Sequence, residues 1–335
     1  VRVGPQGPEC GHDPRAVDGG TGRIGRSGHG HESAQRVGVG LLAPHHGSKD
    51  CRSGEARRPG QDRRDAHRRR QDVDGGGQEG ACAQGRQAQG RAEAESRGRL
   101  RIVRSGADID RLLADRAAGK QVTGALLSIE GLQDLEGKLA NVGTLHDAGF
   151  RMAGLAHFFD NDVAGSMHGL KKYGLTPLGR QVVPEMERRG MIVDLAHASP
   201  AAFAETLAIA TRPVVVSHGG VKATCNTTRN LTDDQLRALA ANGGVIGIGY
   251  WDAAACKATP AATAAAIKHV RDLVGVQYVG LGSDFDGGTT TGFDTAELGA
   301  VTQALLDAGF SDAEIAAVMG GNVVRVLRAG TVPLP

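Results

Sequence analysis

The stretch GMIVDLAHAS, residues 190–199, holds a short apolar run that delivers Asp194 and His197 and passes at once to Ser199, a helix-capping residue. A buried strand that ends on reactive groups and turns into a helix is the repeating unit of a (β/α)8 barrel. Such a barrel fills its interior with branched apolar residues and places its chemistry at the carboxyl ends of the strands. Four more runs do the same: ALLSIE ends on Glu130, MAGLAH on His157, VVVSH on His218, and YVGLGSDFD on Asp284 and Asp286. Between them, capped helical segments such as SGADIDRLLADRAAG, residues 105–119, alternate with the strands, which calls for a parallel sheet. The predicted fold class is α/β, a TIM-type (β/α)8 barrel.

The rim residues are of one chemical kind. Imidazole and carboxylate together form the ligand set for zinc and similar divalent ions, and one glutamate can bridge two of them. Taken singly, each residue fits a core histidine or an N-cap aspartate. Their shared position at the end of run after run favours a metal or catalytic site.

Composition divides the chain. All 7 Phe, 3 Tyr, 5 Met and the single Trp lie from Phe150 onward, whereas residues 1–99 are dominated by Gly, Arg, Gln, Asp and His. With so little apolar surface, the ordering cost of about 1–2 kcal/mol per residue is not offset. The expected organisation is a low-complexity segment over 1–99, disordered or translated out of frame, and a barrel domain over 100–335. Six strands are legible after Leu100 where a closed barrel needs eight. The first two should therefore precede it, and RVGVGLL, residues 36–42, is the one candidate. The barrel is accordingly expected to be incomplete.

The net charge of +2 argues neither for nor against an acidic partner. The basic run Arg63, Arg64, His67, Arg68, Arg69, Arg70 has no interleaved aromatic and is mixed with acidic residues, which disfavours nucleic acid. The cysteines, Cys225 and Cys256 among them, show neither CxxC spacing nor a disulfide framework. No run is long and apolar enough to cross a bilayer and no apolar leader begins the chain, so a cytoplasmic location is the expectation.

Six motifs resemble the membrane (renal-type) dipeptidase family of zinc peptidases, in particular its soluble bacterial members. They are SIEG with Glu130, LAHFFDN with His157, MIVDLAHAS with His197, VVVSHGG with His218, TTRNLTDDQL with Arg229 and GSDFDG with Asp284. The resemblance implies a (β/α)8 barrel with two zinc ions, hydrolysing dipeptides through a metal-bound hydroxide. It implies Glu130 as the bridging ligand and His197 and His218 as the other ligands of the second ion. His157 and Arg229 would bind substrate, the latter through its C-terminal carboxylate, and Asp284 would be the catalytic acid and base. A homodimer is compatible with it.

The family's His-x-Asp pair, which supplies the remaining ligands of the first ion, has no counterpart at a strand end. His12 and Asp13 are adjacent and would point to opposite faces of a strand. Two other readings stay open: a catalytically impaired homologue that keeps one metal as a binding or scaffold protein, and a related amidohydrolase acting on lactams or N-acyl amino acids.

Overall fold

Runs rich in Val, Ile, Leu and Ala become strands because both of their faces are covered, one by helices and one by the barrel interior. The computed structural model describes residues 39–42, 90, 92–285 and 287–333. Its strands are β1 (Val39–Leu42), β2 (Leu100–Ile102), β3 (Thr123–Ile129), β4 (Phe150–Gly154), β5 (Ile192–Asp194), β6 (Val215–Gly219), β7 (Val245–Ile248) and β8 (Val279–Leu281). All pair in parallel in the order β1-β3-β4-β5-β6-β7-β8, and β2 also pairs with β3. The sheet is a curled barrel wall. Among the described residues, no ladder joins β8 to β1 or β2.

Alternation along the strands sorts side chains between two cores. Leu126, Met152, Ile192, Val215 and Val245, one from each of β3 to β7, pack with Val324 and Leu327 of the helix Asn322–Gly330 and with Ile109 and Leu112 of the helix Gly106–Ala117. Their chain neighbours Ala153, Val193, Val216 and Ile246 belong to the larger core with the outer helices. Successive residues of a strand face opposite sides, so each step along the chain changes core. The expected caps at Ser105 and Ser199 are present, and a third helix carries a capping box. Ser105 accepts from Asp108 N, Ser199 from Ala202 N, and Thr232 and Gln235 form a reciprocal capping box before Asp233–Ala241.

One irregularity positions chemistry. Val216 pairs with Ile246 and Gly219 with Ile248, so β6 carries one more residue than β7 over that interval. A bulge of this kind re-aims side chains. Here it spans Ser217 and His218.

The folded unit begins earlier than residue 100. β1 falls within RVGVGLL, and β2 is the three-residue run LRI at the expected boundary, too short for periodicity to reveal. Glu93 accepts from Ile102 N at 2.6 Å and so ties the segment before β2 to it. His12, Asp13, Asp286 and the basic run from Arg63 to Arg70 lie outside the described residues. Among the described residues, no helix is long and apolar enough to cross a membrane.

Candidate metal centre

The carboxyl ends of β3, β4, β5, β6 and β8 bring five of the six expected residues together. Glu130 directly follows β3. Its Oε1 is 3.1 Å from His197 Nε2 and 3.2 Å from His218 Nε2, and the two imidazole nitrogens are 3.0 Å apart. One donor atom from each residue lies within 4.8 Å of the others. The second glutamate oxygen, Oε2, is 3.3 Å from Nε2 of His157, whose ring stands edge-on to that of His197. Asp284 Oδ1 is 4.0 Å from His218 Nε2. Asp284 holds a left-handed backbone, with φ of 57°, in the turn after β8, a conformation that Asp tolerates better than most residues.

Burial sets the protonation of the cluster. Desolvation, with Arg229 and the other imidazoles adding to it, drives His197 down to about 2 and His218 well below its usual range. His157 is also lowered, by burial first, against the opposing charge of Glu130. At neutral pH these rings are uncharged and hold lone pairs. Two imidazole nitrogens and a carboxylate oxygen then converge with no cationic side chain among them, which is the donor chemistry of a divalent cation such as zinc. The described residues fit one such ion.

Arg229 is the sixth residue. It lies in the segment after β6, is 7 % exposed, and donates from Nη2 to His218 O at 2.7 Å and from Nη1 to Ala196 O. Its guanidinium stands over the Trp251 ring at 5.7 Å. Burial lowers it to about 10, and Asp284, Asp194 and Glu130 oppose that fall, so it remains a cation at neutral pH.

The same segment carries a correction to the cysteine reading. Cys225 and Cys256 form a disulfide, with Cα atoms 5.2 Å apart across 31 residues of chain. Spacing alone could not disclose it, because the partners meet only when the segments after β6 and β7 pack together. Thr227 Oγ1 donates to Ala253 O at 2.7 Å and Asn230 Nδ2 to Ala254 O at 2.9 Å, which reinforces the junction. Gly220 is required there, since a Cβ would lie 2.1 Å from Ala254 O.

Other residues at the site were not singled out by the sequence. Phe158 is 50 % exposed and its ring is 4.1 Å from that of His157, and the His168 ring is 5.3 Å from that of His197. Asp194, expected at the rim, turns inward instead. It bonds Ser217, whose hydroxyl in turn lies 2.8 Å from His218 Nδ1.

A parallel, curled α/β sheet with imidazole and carboxylate donors gathered at its carboxyl rim defines the class of α/β barrels with a candidate metal centre at that rim. Within that class, residues 83–332 match the family described as membrane dipeptidase (peptidase family M19), and the chain belongs to that family. Dipeptidase aclJ of Aspergillus oryzae is 38 % identical over 217 residues, covering 61 % of this chain and 50 % of that protein. The chain thus spans about half the length of that protein and of similar dipeptidases from Claviceps purpurea, Clonostachys rogersoniana and Mus musculus.

Among solved structures, an amidohydrolase from Pseudomonas aeruginosa aligns with a TM-score of 0.64 at 26 % identity, covering 73 % of this chain and 82 % of its own. A metallo peptidase from Rhodobacter sphaeroides, liganded with a phosphinate mimic of the dipeptide L-Ala-D-Ala, aligns with a TM-score of 0.63 at 25 % identity. That alignment covers 71 % of each chain.

Proposed function

We propose that this chain is a zinc-dependent dipeptidase that hydrolyses dipeptides with a free C-terminal carboxylate. The observation that carries the reading is the convergence of Glu130 Oε1, His197 Nε2 and His218 Nε2 at the carboxyl rim, with Asp284 and Arg229 beside them. Family membership and the dipeptide mimic held by the Rhodobacter sphaeroides peptidase support the substrate class.

Glu130, His197 and His218 would hold the ion. Zinc bound there would supply Lewis-acid polarisation and a water of lowered pKa. His157, beside Glu130, orients the scissile carbonyl. Two of the guanidinium N–H groups of Arg229 are engaged by the Ala196 and His218 carbonyls, and its remaining donors suit a planar carboxylate. Asp284 takes a proton from the attacking water and returns it to the departing amine.

A second reading is a catalytically impaired homologue that keeps one metal through Glu130, His197 and His218, the three-residue donor set that converges among the described residues. For the compartment, the Cys225–Cys256 bridge favours an oxidising environment over the cytoplasm, where disulfides are rare.

The test is hydrolysis of free-acid dipeptides, C-terminally amidated dipeptides, lactams and N-acyl amino acids by the purified chain, with metal content read by elemental analysis. Preferential turnover of the free-acid dipeptides by zinc-loaded protein supports the proposal. Turnover confined to lactams or N-acyl amino acids sinks it.

A further inference from the structure

Asp194 and Ser217 lie beneath the metal centre and have no part in the reaction outlined above. Asp194 is 2 % exposed and every oxygen is engaged. Its Oδ1 accepts from the backbone N–H of Ala196 at 3.0 Å and of Ser217 at 2.9 Å, and its Oδ2 accepts from the Ser217 hydroxyl at 2.5 Å. Ser217 Oγ then stands 2.8 Å from His218 Nδ1. The β6 bulge makes this possible by turning Ser217 and His218 toward the same centre.

We propose that Asp194 and Ser217 are positioning residues that fix the tautomer of His218, with the proton on Nδ1 and the lone pair on Nε2 aimed into the Glu130–His197 cluster. A carboxylate can only accept, so the single Ser217 hydroxyl proton goes to Asp194 Oδ2. Ser217 then offers only lone pairs to His218, so the 2.8 Å contact is a hydrogen bond only when Nδ1 carries the hydrogen, in competition with Glu130 Oε1 at 3.2 Å from Nε2. Nε2 is left free for a cation, as a ligating imidazole requires. Among the described residues, His197 Nδ1 is buried with no hydrogen-bond partner, in contrast to His218 Nδ1.

Asp194→Asn should reverse the arrangement. Two backbone N–H groups face the Oδ1 position, so the amide oxygen must sit there and the NH2 group must face Ser217. The hydroxyl, now receiving from Asn, donates to Nδ1. The proton of His218 is thereby displaced to Nε2, the wrong atom for ligation. Ser217→Ala cuts the connection without reversing it, and both tautomers become populated.

Two measurements at pH 8 on the full chain test this, with circular dichroism and thermal melting confirming that each variant folds. In metal-free protein with 15N-labelled histidine, two-bond 1H–15N correlation should report Nδ1–H for His218 in the parent and Nε2–H in Asp194→Asn. Nε2–H in the parent overturns the proposal even if Asp194→Asn fails to fold. An unchanged tautomer in a folded Asp194→Asn overturns it too. This arm does not depend on the dipeptidase reading.

In a Zn2+ titration against a competing chelator, Ser217→Ala should weaken binding about 10-fold and Asp194→Asn toward 100-fold, the range for partners of a ligating histidine. The double variant should bind like Ser217→Ala alone, because removing the hydroxyl removes the reversal. Additive losses would mean that both residues act only through packing, against the proposal. A parent chain that binds no Zn2+ would count against the dipeptidase reading, and the tautomer result would still decide this one.

Discussion

Arg229 Nη2 donates to the carbonyl oxygen of His218 across 2.7 Å, so the cation proposed to hold the substrate also holds the strand end that carries an imidazole donor. This gives Arg229→Ala two effects. Buried acceptors at Ala196 and His218 lose their partner, and the unfolding free energy should fall by about 2–4 kcal/mol in denaturant titration. Catalysis should suffer selectively: kcat/KM on a free-acid dipeptide should drop by about 2–5 kcal/mol of transition-state binding. The C-terminally amidated dipeptide, which lacks the carboxylate, should be poor with the parent and little worse with the variant. Equal proportional losses on both substrates would leave Arg229 a purely structural role.

Ion binding should be visible as stability. A cation that binds the folded chain alone adds about 2.7 kcal/mol when its free concentration is 100 times Kd. Zn2+ should therefore raise the melting temperature of the metal-free parent. Glu130→Gln and His197→Ala, each removing one of three converging donors, should abolish most of the rise. His146→Ala, at a histidine outside the cluster, should retain it. A rise of the same size in all four proteins would place the ion elsewhere.

The buried rings also predict how the metal-free chain responds to acid. His197 is held at about 2 and His218 well below normal by burial, whereas both titrate near 6.5 once unfolded. Their stability contribution is complete above about 6.5. Below it, the unfolded chain takes up protons that the folded chain refuses, at up to about 1.4 kcal/mol per pH step for each ring. Asp194 acts in the opposite sense: burial raises it to about 6 from a usual 3.8, so it destabilises the fold above that pH and recovers as pH falls. Two rings outweigh one carboxyl. Between pH 7 and 5 the net loss should be about 2–3 kcal/mol in denaturant titrations, and His197→Asn should reduce it. A flat or rising profile would contradict the burial of the pair.

Much of this architecture is legible because barrel chemistry is periodic. Each of ALLSIE, MAGLAH, MIVDLAH and VVVSH leads from a strand to a residue of the cluster, and Glu130, His157, His197 and His218 lie close together at the carboxyl rim. What periodicity could not carry is contact between distant segments. β2 is only three residues long, and its identity rests on pairing with β3. Asp194 reads as a rim residue by position, yet alternation above Ile192 and a bonding partner 23 residues away turn it inward. The β6 bulge leaves no mark in composition, although it decides where Ser217 and His218 point.

The Cys225–Cys256 bridge is the clearest case of such a contact, and it supports the last prediction. Closing a loop over 31 residues restricts the unfolded chain by about 3–4 kcal/mol in the chain-entropy account. Cys256→Ser should therefore lower stability by an amount of that order, less whatever the Thr227 and Asn230 hydrogen bonds retain of the junction. The consequence for the site is more specific. Arg229 stands four residues beyond Cys225, whereas His197 and Glu130 lie on segments outside the bridged loop. Breaking the bridge should raise KM for a free-acid dipeptide more than it lowers kcat, while Zn2+ affinity stays within about threefold of the parent, a change under 1 kcal/mol. Loss of zinc binding in step with loss of activity would show that the bridge holds the whole rim and not the Arg229 segment alone.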